Sequence, residues 1–210
     1  MLLWINGPFG GGKTQTAHEI QRRLPGSVIC DPEHAGFGLR RMLPPGLRGN
    51  FQDLAAWRQG VVEVLDLALT KHDGVVIVPM TVTDFGYFDE TVGRLRDKGH
   101  DVHHFSLLAR RETVLKRLRE RGFGHLLQHV VGKDAPLRRE SWAVEQLDHC
   151  LERLRQPEFA EHLWTDESTV PKTADRIAVL AGLRLAPNTD GALRTRVRQI
   201  KVSLRHIRTD

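Results

Sequence analysis

Gly7-Pro8-Phe9-Gly10-Gly11-Gly12-Lys13-Thr14 sets four glycines ahead of a lysine and a hydroxyl, in the spacing G-x-x-x-x-G-K-[ST]. Residues of these types in this order suit phosphate chemistry. Glycines let successive backbone N–H groups turn inward around an anion, and a helix opening at the lysine adds the positive end of its dipole. Lys13 would reach the outer phosphates of a nucleoside triphosphate, and the Thr14 hydroxyl would ligate Mg²⁺. The candidate nucleotide contacts are therefore Gly7, Phe9, Gly10, Gly11, Gly12, Lys13, Thr14 and Gln15. The flanks agree with this reading. Leu2-Leu3-Trp4-Ile5 is an apolar run of strand type, and residues 16–24 read as a helix.

What the triphosphate is used for depends on the surrounding carboxylates and arginines. Switch GTPases and motor ATPases place an acidic Mg²⁺ partner after a hydrophobic strand. Here the run Val75-Val76-Ile77-Val78 ends in Pro79-Met80-Thr81, and no carboxylate follows until Asp84. A small-molecule kinase needs instead a carboxylate to accept the acceptor hydroxyl's proton and arginines to neutralise the migrating phosphoryl group. Asp31 follows the second apolar run, Ser27-Val28-Ile29-Cys30, and the carboxyl ends of parallel strands face the ligand crevice. With those two strands adjacent, Asp31 is expected close to Lys13. The competing reading is an aspartate that only starts a turn before Pro32. Arg117 and Arg121 share a helix face just ahead of a glycine-bearing segment where a lid would hinge. A solvated, salt-bridged helix face is the alternative there. Arg40 and Arg58 are further candidates for gripping the acceptor.

Alternating strand and helix patterns predict a parallel sheet flanked by helices. Helices are expected over residues 54–69, 88–98, 112–121, 141–155 and 173–181, and strands over 101–108 and 162–166. The run at 75–78 is the most apolar and is expected at the centre of the sheet. The layout is one domain over 1–185, with a lid at about 117–140, and a separate helix over 190–210. With 40% hydrophobic and 27% charged residues in 210, the chain has the composition of a soluble globular protein. Cys30 and Cys150 are too few for a disulfide framework and read as small buried residues. No apolar run approaches the ~20 residues that span a bilayer, and no basic leader precedes the first strand, so a cytoplasmic protein is expected. His103 and His104 lack a third partner at metal spacing and read as ordinary strand residues.

The formal net charge of +5 belongs to the tail. Residues 193–210 hold six of the 31 basic and one of the 26 acidic residues, which leaves 25 of each elsewhere. On a helix, Leu193, Val197, Ile200, Leu204 and Ile207 form one apolar stripe. Two readings are open for it. The stripe packs on the domain with its arginines in water, or the helix lies on an anionic membrane surface at the inner face. Nucleic acid is not expected as a partner, because the basic cluster lacks interleaved aromatics.

Trp4-Ile5-Asn6-Gly7 through Gly12-Lys13-Thr14-Gln15-Thr16-Ala17, then Asp31-Pro32-Glu33, Gly36-Phe37 and Leu39-Arg40, resembles the bacterial tunicamycin resistance protein family of P-loop proteins. The likeness continues through Trp57-Arg58, Val78-Pro79-Met80-Thr81, Val102-His103-His104-Phe105, Lys116-Arg117-Leu118-Arg119, Ser141-Trp142-Ala143 and His206-Ile207-Arg208. Asp31-Pro32-Glu33 and Pro79-Met80-Thr81 are its more discriminating parts. The resemblance implies a kinase-like ATP-binding fold, ATP rather than GTP, and resistance to a nucleoside antibiotic. It also makes a basic C-terminal amphipathic segment a family feature. Residues 122–139 look longer than the family's usual connection at the lid, which bears on the acceptor. The expectation is an ATP- and Mg²⁺-dependent phosphotransferase in which Lys13, Asp31, Arg117 and Arg121 act on a small-molecule hydroxyl. A drug-sequestering ATP-binding protein, a membrane-associated ATPase and a toxin-type kinase of nucleotide sugars are the alternatives.

Overall fold

The computed structural model describes residues 1–120 and 144–191, together with Arg194, Val197, Arg198 and Val202. The first half of the chain forms β1 (Leu2–Asn6), α1 (Lys13–Arg23), β2 (Val28–Ile29), α2 (Pro32–Met42), α3 (Ala55–Lys71) and β3 (Val76–Pro79). Next come α4 (Phe85–Phe88), a π-helical turn Asp89–Gly93, and α5 (Arg94–Asp97), which run on as one bent helix. The remaining described elements are β4 (Val102–Leu108), α6 (Arg111–Glu120), α7 (Leu147–Leu154), β5 (His162–Trp164) and α8 (Val170–Leu180).

The five strands form a single parallel sheet in the order β2-β3-β1-β4-β5. β1 is buried along its whole length because apolar side chains leave it on both faces. Leu3 and Ile5 meet Ala17 and Ile20 of α1 and Ala174 and Ile177 of α8. Leu2 and Trp4 face the opposite layer, where Trp57, Val61 and Leu65 of α3 pack with Leu95 and Leu154. A smaller cluster joins Val114 and Leu118 of α6 to Leu147 and Leu151 of α7. The expected α/β architecture is the one observed.

Two positional expectations are corrected. The centre of the sheet is β1, and β3 stands one place off it, with the two-residue β2 as its outer neighbour. Apolarity marks both as interior and cannot rank them. Because β3 lies between β2 and β1, Asp31 is separated from the strand feeding the glycine loop by two strand spacings, roughly 10 Å. The consecutive strands β1 and β2 are not neighbours.

The helix α2 was not expected, since Gly36 and Gly38 depress helix propensity. Gly36 has a packing reason, because a Cβ there would overlap the Phe51 ring. The helix expected over 88–98 starts earlier, at Phe85, where Asp84 Oδ1 accepts the Tyr87 N–H at 2.9 Å. The last domain helix also starts early, capped by Thr169. Arg121, residues 122–143 of the expected lid and its following helix, and most of the tail lie outside the described residues. The four tail residues described are helical, and Val197 of the apolar stripe is 53% exposed. No described helix is long and apolar enough to cross a membrane.

His104 sits on β4 at 5% exposure, with its Nδ1 3.0 Å from the Ala160 carbonyl and its ring edge-on to Phe88. Burial pushes its pKa down to about 4; the Ala160 hydrogen bond opposes this, and Arg96 and His162 add to it. An unfolded histidine titrates near 6.5, so between pH 6.5 and 4 the unfolded chain binds a proton that the folded one refuses. That contribution to stability is complete above pH 6.5 and is lost as the pH falls. We expect a drop of about 2–3 kcal/mol from this group between pH 6.5 and 4.5. Urea midpoints at the two pH values should converge in His104→Asn, which keeps a donor near Nδ1 and cannot take up charge. An equal acid sensitivity in the variant would show that another group carries it.

Candidate active site

The glycine loop leaves β1 at Gly7 and ends where α1 begins. Gly12 caps α1 in the left-handed region, φ 95°, and has no side chain to compete for the first amides of the helix. Gly10 is also left-handed, at φ 76°, and a Cβ there would lie 2.9 Å from Leu118 Cγ of α6. The loop is therefore pressed against α6 at its crest. Gly11 N–H closes a turn onto the Pro8 carbonyl at 2.9 Å. Lys13 is 7% exposed, donates to the same carbonyl at 3.1 Å and lies 5.3 Å from the Phe9 ring centre. Thr14 and Gln15 follow in the first turn of α1, both half-buried. The helix start that opens at Lys13, the buried ammonium and the glycines at the loop's crest fit a polyphosphate.

Side chains from β1 and from the strap after β3 fasten the base of this loop. Asn6 Oδ1 accepts from Gly7 N–H at 2.9 Å and from Val82 N–H at 3.0 Å, and its amide donates to the Val82 carbonyl at 2.8 Å. The Thr81 hydroxyl donates to the Gly7 carbonyl at 2.8 Å. Gln52 then donates to the Thr81 carbonyl at 2.9 Å, and Arg153 to that of Thr83 at 3.2 Å. The strap after β3 is thus held from three directions. Asn6 and Gln52 were not among the expected site residues. Asn6 and Thr81 did fall within the stretches that carry the family likeness.

Asp31 follows β2 by two residues and caps α2, accepting the Glu33 N–H at 2.9 Å with Pro32 at the first helical position. Trp57 Nε1 donates to the Pro32 carbonyl at 3.0 Å and so anchors this corner to α3. Arg58 is largely buried and occupied. It pairs with Glu90 at 2.7 Å, donates to the Gln52 carbonyl and stacks 4.4 Å above the Tyr87 ring. Tyr87 in turn donates to Asp53 at 3.0 Å. Arg58 is therefore a post that holds the loop before α3. Arg40 lies in the last turn of α2, roughly 13 Å along the helix from Asp31.

Arg117 reaches the loop after β5, donating to Thr165 Oγ1 at 3.0 Å and to the Thr165 carbonyl at 2.6 Å. Burial lowers its pKa, and the nearby Asp166 carboxylate acts in the opposite direction. Asp166 is itself held by the Thr113 hydroxyl at 2.6 Å and the Arg110 N–H at 2.9 Å. α6 is so tied to the glycine loop on one side and to the β5 loop on the other. Its companion in the expected pair, Arg121, lies outside the described residues. Burial pushes the Cys150 thiol up to about 12, with Lys13 pulling weakly the other way, so this cysteine is no nucleophile at neutral pH.

A family model described as an AAA domain matches residues 2–139. The tunicamycin resistance protein of Deinococcus radiodurans is 33% identical, with a TM-score of 0.69, over 89% of this chain and 98% of its own. The chain belongs to the tunicamycin resistance protein family. Two more distant structures show the same fold. A Janibacter sugar kinase is 18% identical, covers 87% of this chain and 94% of its own, and has a TM-score of 0.55. The Mycobacterium tuberculosis APS kinase CysC, solved with AMPPNP and APS, is 14% identical over 86% and 96%, with a TM-score of 0.51. No curated protein matches the chain. In this family member the fold is that of the small P-loop kinases, with the glycine loop at the point where strand order reverses about β1.

Gly10→Ala combines a left-handed residue with a methyl group pressed on Leu118. We expect a loss of about 1–2 kcal/mol in urea unfolding from the backbone alone, and weaker binding of Mg·AMPPNP. A variant as stable and as tightly binding as the parent would mean that α6 yields at this contact.

Proposed function

We infer that the protein is an ATP- and Mg²⁺-dependent phosphotransferase acting on a small-molecule hydroxyl, with tunicamycin-type nucleoside antibiotics as the first acceptors to test. One observation carries the reading: a complete phosphate loop with a buried lysine stands two strands away, across β3, from Asp31 at the carboxyl end of β2. The family's association with tunicamycin resistance and the kinase fold of the distant relatives support it.

The roles follow from placement. Lys13 and the first amides of α1 hold the β- and γ-phosphates, and the negative charge of the reaction develops next to them. Mg²⁺, when bound, would supply charge neutralisation at the phosphates. Among the described residues no three His, Cys, Asp or Glu side chains cluster to hold a metal, so Thr14 and the phosphates themselves would carry the ion. The separation of roughly 10 Å between Asp31 and β1 is comparable in scale to a phosphoryl group and its acceptor. Asp31 takes the hydroxyl proton as the acceptor oxygen bonds to the γ-phosphorus. The bond from that phosphorus to the β–γ bridging oxygen breaks, and ADP leaves. Arg117 adds a fixed positive charge on the side of the β5 loop.

Asp31 is also a helix cap, which makes one substitution informative. Asparagine caps a helix as well as aspartate does but cannot accept the proton. Asp31→Asn should therefore keep its thermal midpoint and its affinity for Mg·AMPPNP while transfer falls by roughly 10² or more. The assay is intact mass of tunicamycin, and of a small panel of nucleoside and aminoglycoside antibiotics, after incubation with Mg·ATP, with Lys13→Ala as the inactive control. A gain of one phosphoryl mass dependent on Lys13 and Asp31 supports transfer. Unmodified tunicamycin retained on the protein in the presence of ATP would replace transfer by sequestration.

A further inference from the structure

We propose that Thr81 and Gln52 form a latch that sets the shape of the phosphate loop and registers it against the wall carrying Asp31. This rests on the reading of the loop as a nucleotide site, and it names positioning residues that this reading leaves unassigned.

The hinge of the loop is the Gly7 peptide, and both of its polar groups are held by side chains. Its N–H goes to Asn6 Oδ1 and its carbonyl accepts from Thr81. A loop that presents amides to an anion must turn its carbonyls away. At Gly7 that turn is enforced by Thr81, a residue 6% exposed and 74 positions distant in the chain. Thr81 does not stand alone. Its own carbonyl accepts from Gln52, in the short helical turn Phe51–Asp53 that precedes α3. The neighbouring Phe51 ring packs against Gly36 of α2, the helix that Asp31 caps, and lies 5.4 Å from the Trp57 ring. Trp57 closes the circuit through the Pro32 carbonyl. Arg58 fixes the Gln52 main chain from below. The contacts traced from Asp31 to Gly7 are thus packed rings and hydrogen bonds, and in this chain of contacts the Gln52 side chain bridges the two halves.

The chemistry of the latch is directional. Thr81 must donate to Gly7, and Gln52 must donate to Thr81. Thr81→Val keeps the shape and removes the donor, whereas Thr81→Ser keeps the donor. Gln52→Leu removes the donor to the Thr81 carbonyl at a site outside the phosphate loop. Two readouts separate the latch from the nucleotide reading. The first is amide hydrogen exchange over residues 5–16 in protein without nucleotide. The second is the dissociation constant for Mg·AMPPNP by calorimetry, with thermal midpoints recorded for each variant. We expect faster exchange and about 5–10-fold weaker AMPPNP binding in Thr81→Val and in Gln52→Leu, with both properties restored in Thr81→Ser. Parental exchange and affinity in both donor-less variants would overturn the latch, as would a Thr81→Ser variant as impaired as Thr81→Val. Faster exchange in the two variants, combined with no AMPPNP binding by the parent protein, would keep the latch and sink the nucleotide site.

Discussion

The structure depends on how the chain leaves β1 without leaving the interior. Met80 N–H donates to the Ile5 carbonyl at 3.0 Å, the last rung of the ladder between β1 and its neighbour. Beyond it the backbone must turn, yet Asn6 is fully buried and Thr81 is nearly so. Buried peptide groups without partners are costly, so something other than a strand has to satisfy them. The Asn6 amide and the Thr81 hydroxyl do this for Gly7 and Val82. The sheet therefore ends in a set of side-chain hydrogen bonds, and the glycine loop begins from that fixed hinge.

The same economy governs the charged residues. Asp31 caps a helix, Arg58 holds a loop and a tyrosine ring, and Arg117 fastens two segments across the top of the sheet. Half-buried charges need partners whether or not a ligand is present. Structural and chemical roles are consequently compatible at Asp31, because capping uses an acceptor oxygen and does not require a proton. They are less compatible at Arg58, whose partners surround it on three sides. The contrast follows from bonding: capping uses one acceptor oxygen of a carboxylate, whereas the Arg58 guanidinium already serves a carboxylate, a carbonyl and a ring.

Local features were legible in the sequence, and long-range ones were not. The glycine loop could be read because its spacing, its strand and its helix occupy consecutive positions. The alternating elements could be read for the same reason. The order of the strands could not, since the crossover that inserts β3 between β2 and β1 depends on pairings far apart in the chain. Asn6, Thr81 and Gln52 work through partners separated by 29 to 76 positions. A single amide or hydroxyl in a short stretch gives no local sign of such a role. α2 was hidden by its two glycines, one of which turned out to be the seat of a phenylalanine ring. The family likeness drew attention to Trp57-Arg58 and Pro79-Met80-Thr81, and the contacts now give both stretches a physical reason. Trp57 anchors the corner beside Asp31, and Thr81 anchors the loop.

Arg117 shows how magnitudes decide between roles. In the free protein its guanidinium makes two hydrogen bonds to Thr165, and bonds to a charged group are worth about 1.5–3 kcal/mol each. Swinging it toward a phosphoryl group would forfeit both and leave the β5 loop to Asp166 and to the bonds of Thr165 with the Leu108 carbonyl. The gain would have to exceed that loss in a region where Lys13 and the helix amides already meet much of the charge. On the proposed reading, keeping Arg117 in place retains both bonds, and a fixed cation would act through space without reorganising. The preorganised arrangement is therefore the favoured one. It also ties the rim of the site to α6, the same helix whose Leu118 presses on Gly10 at the crest of the loop. A shift of α6 would disturb the loop and the β5 segment together, which makes this helix the element on which the nucleotide side of the site is built.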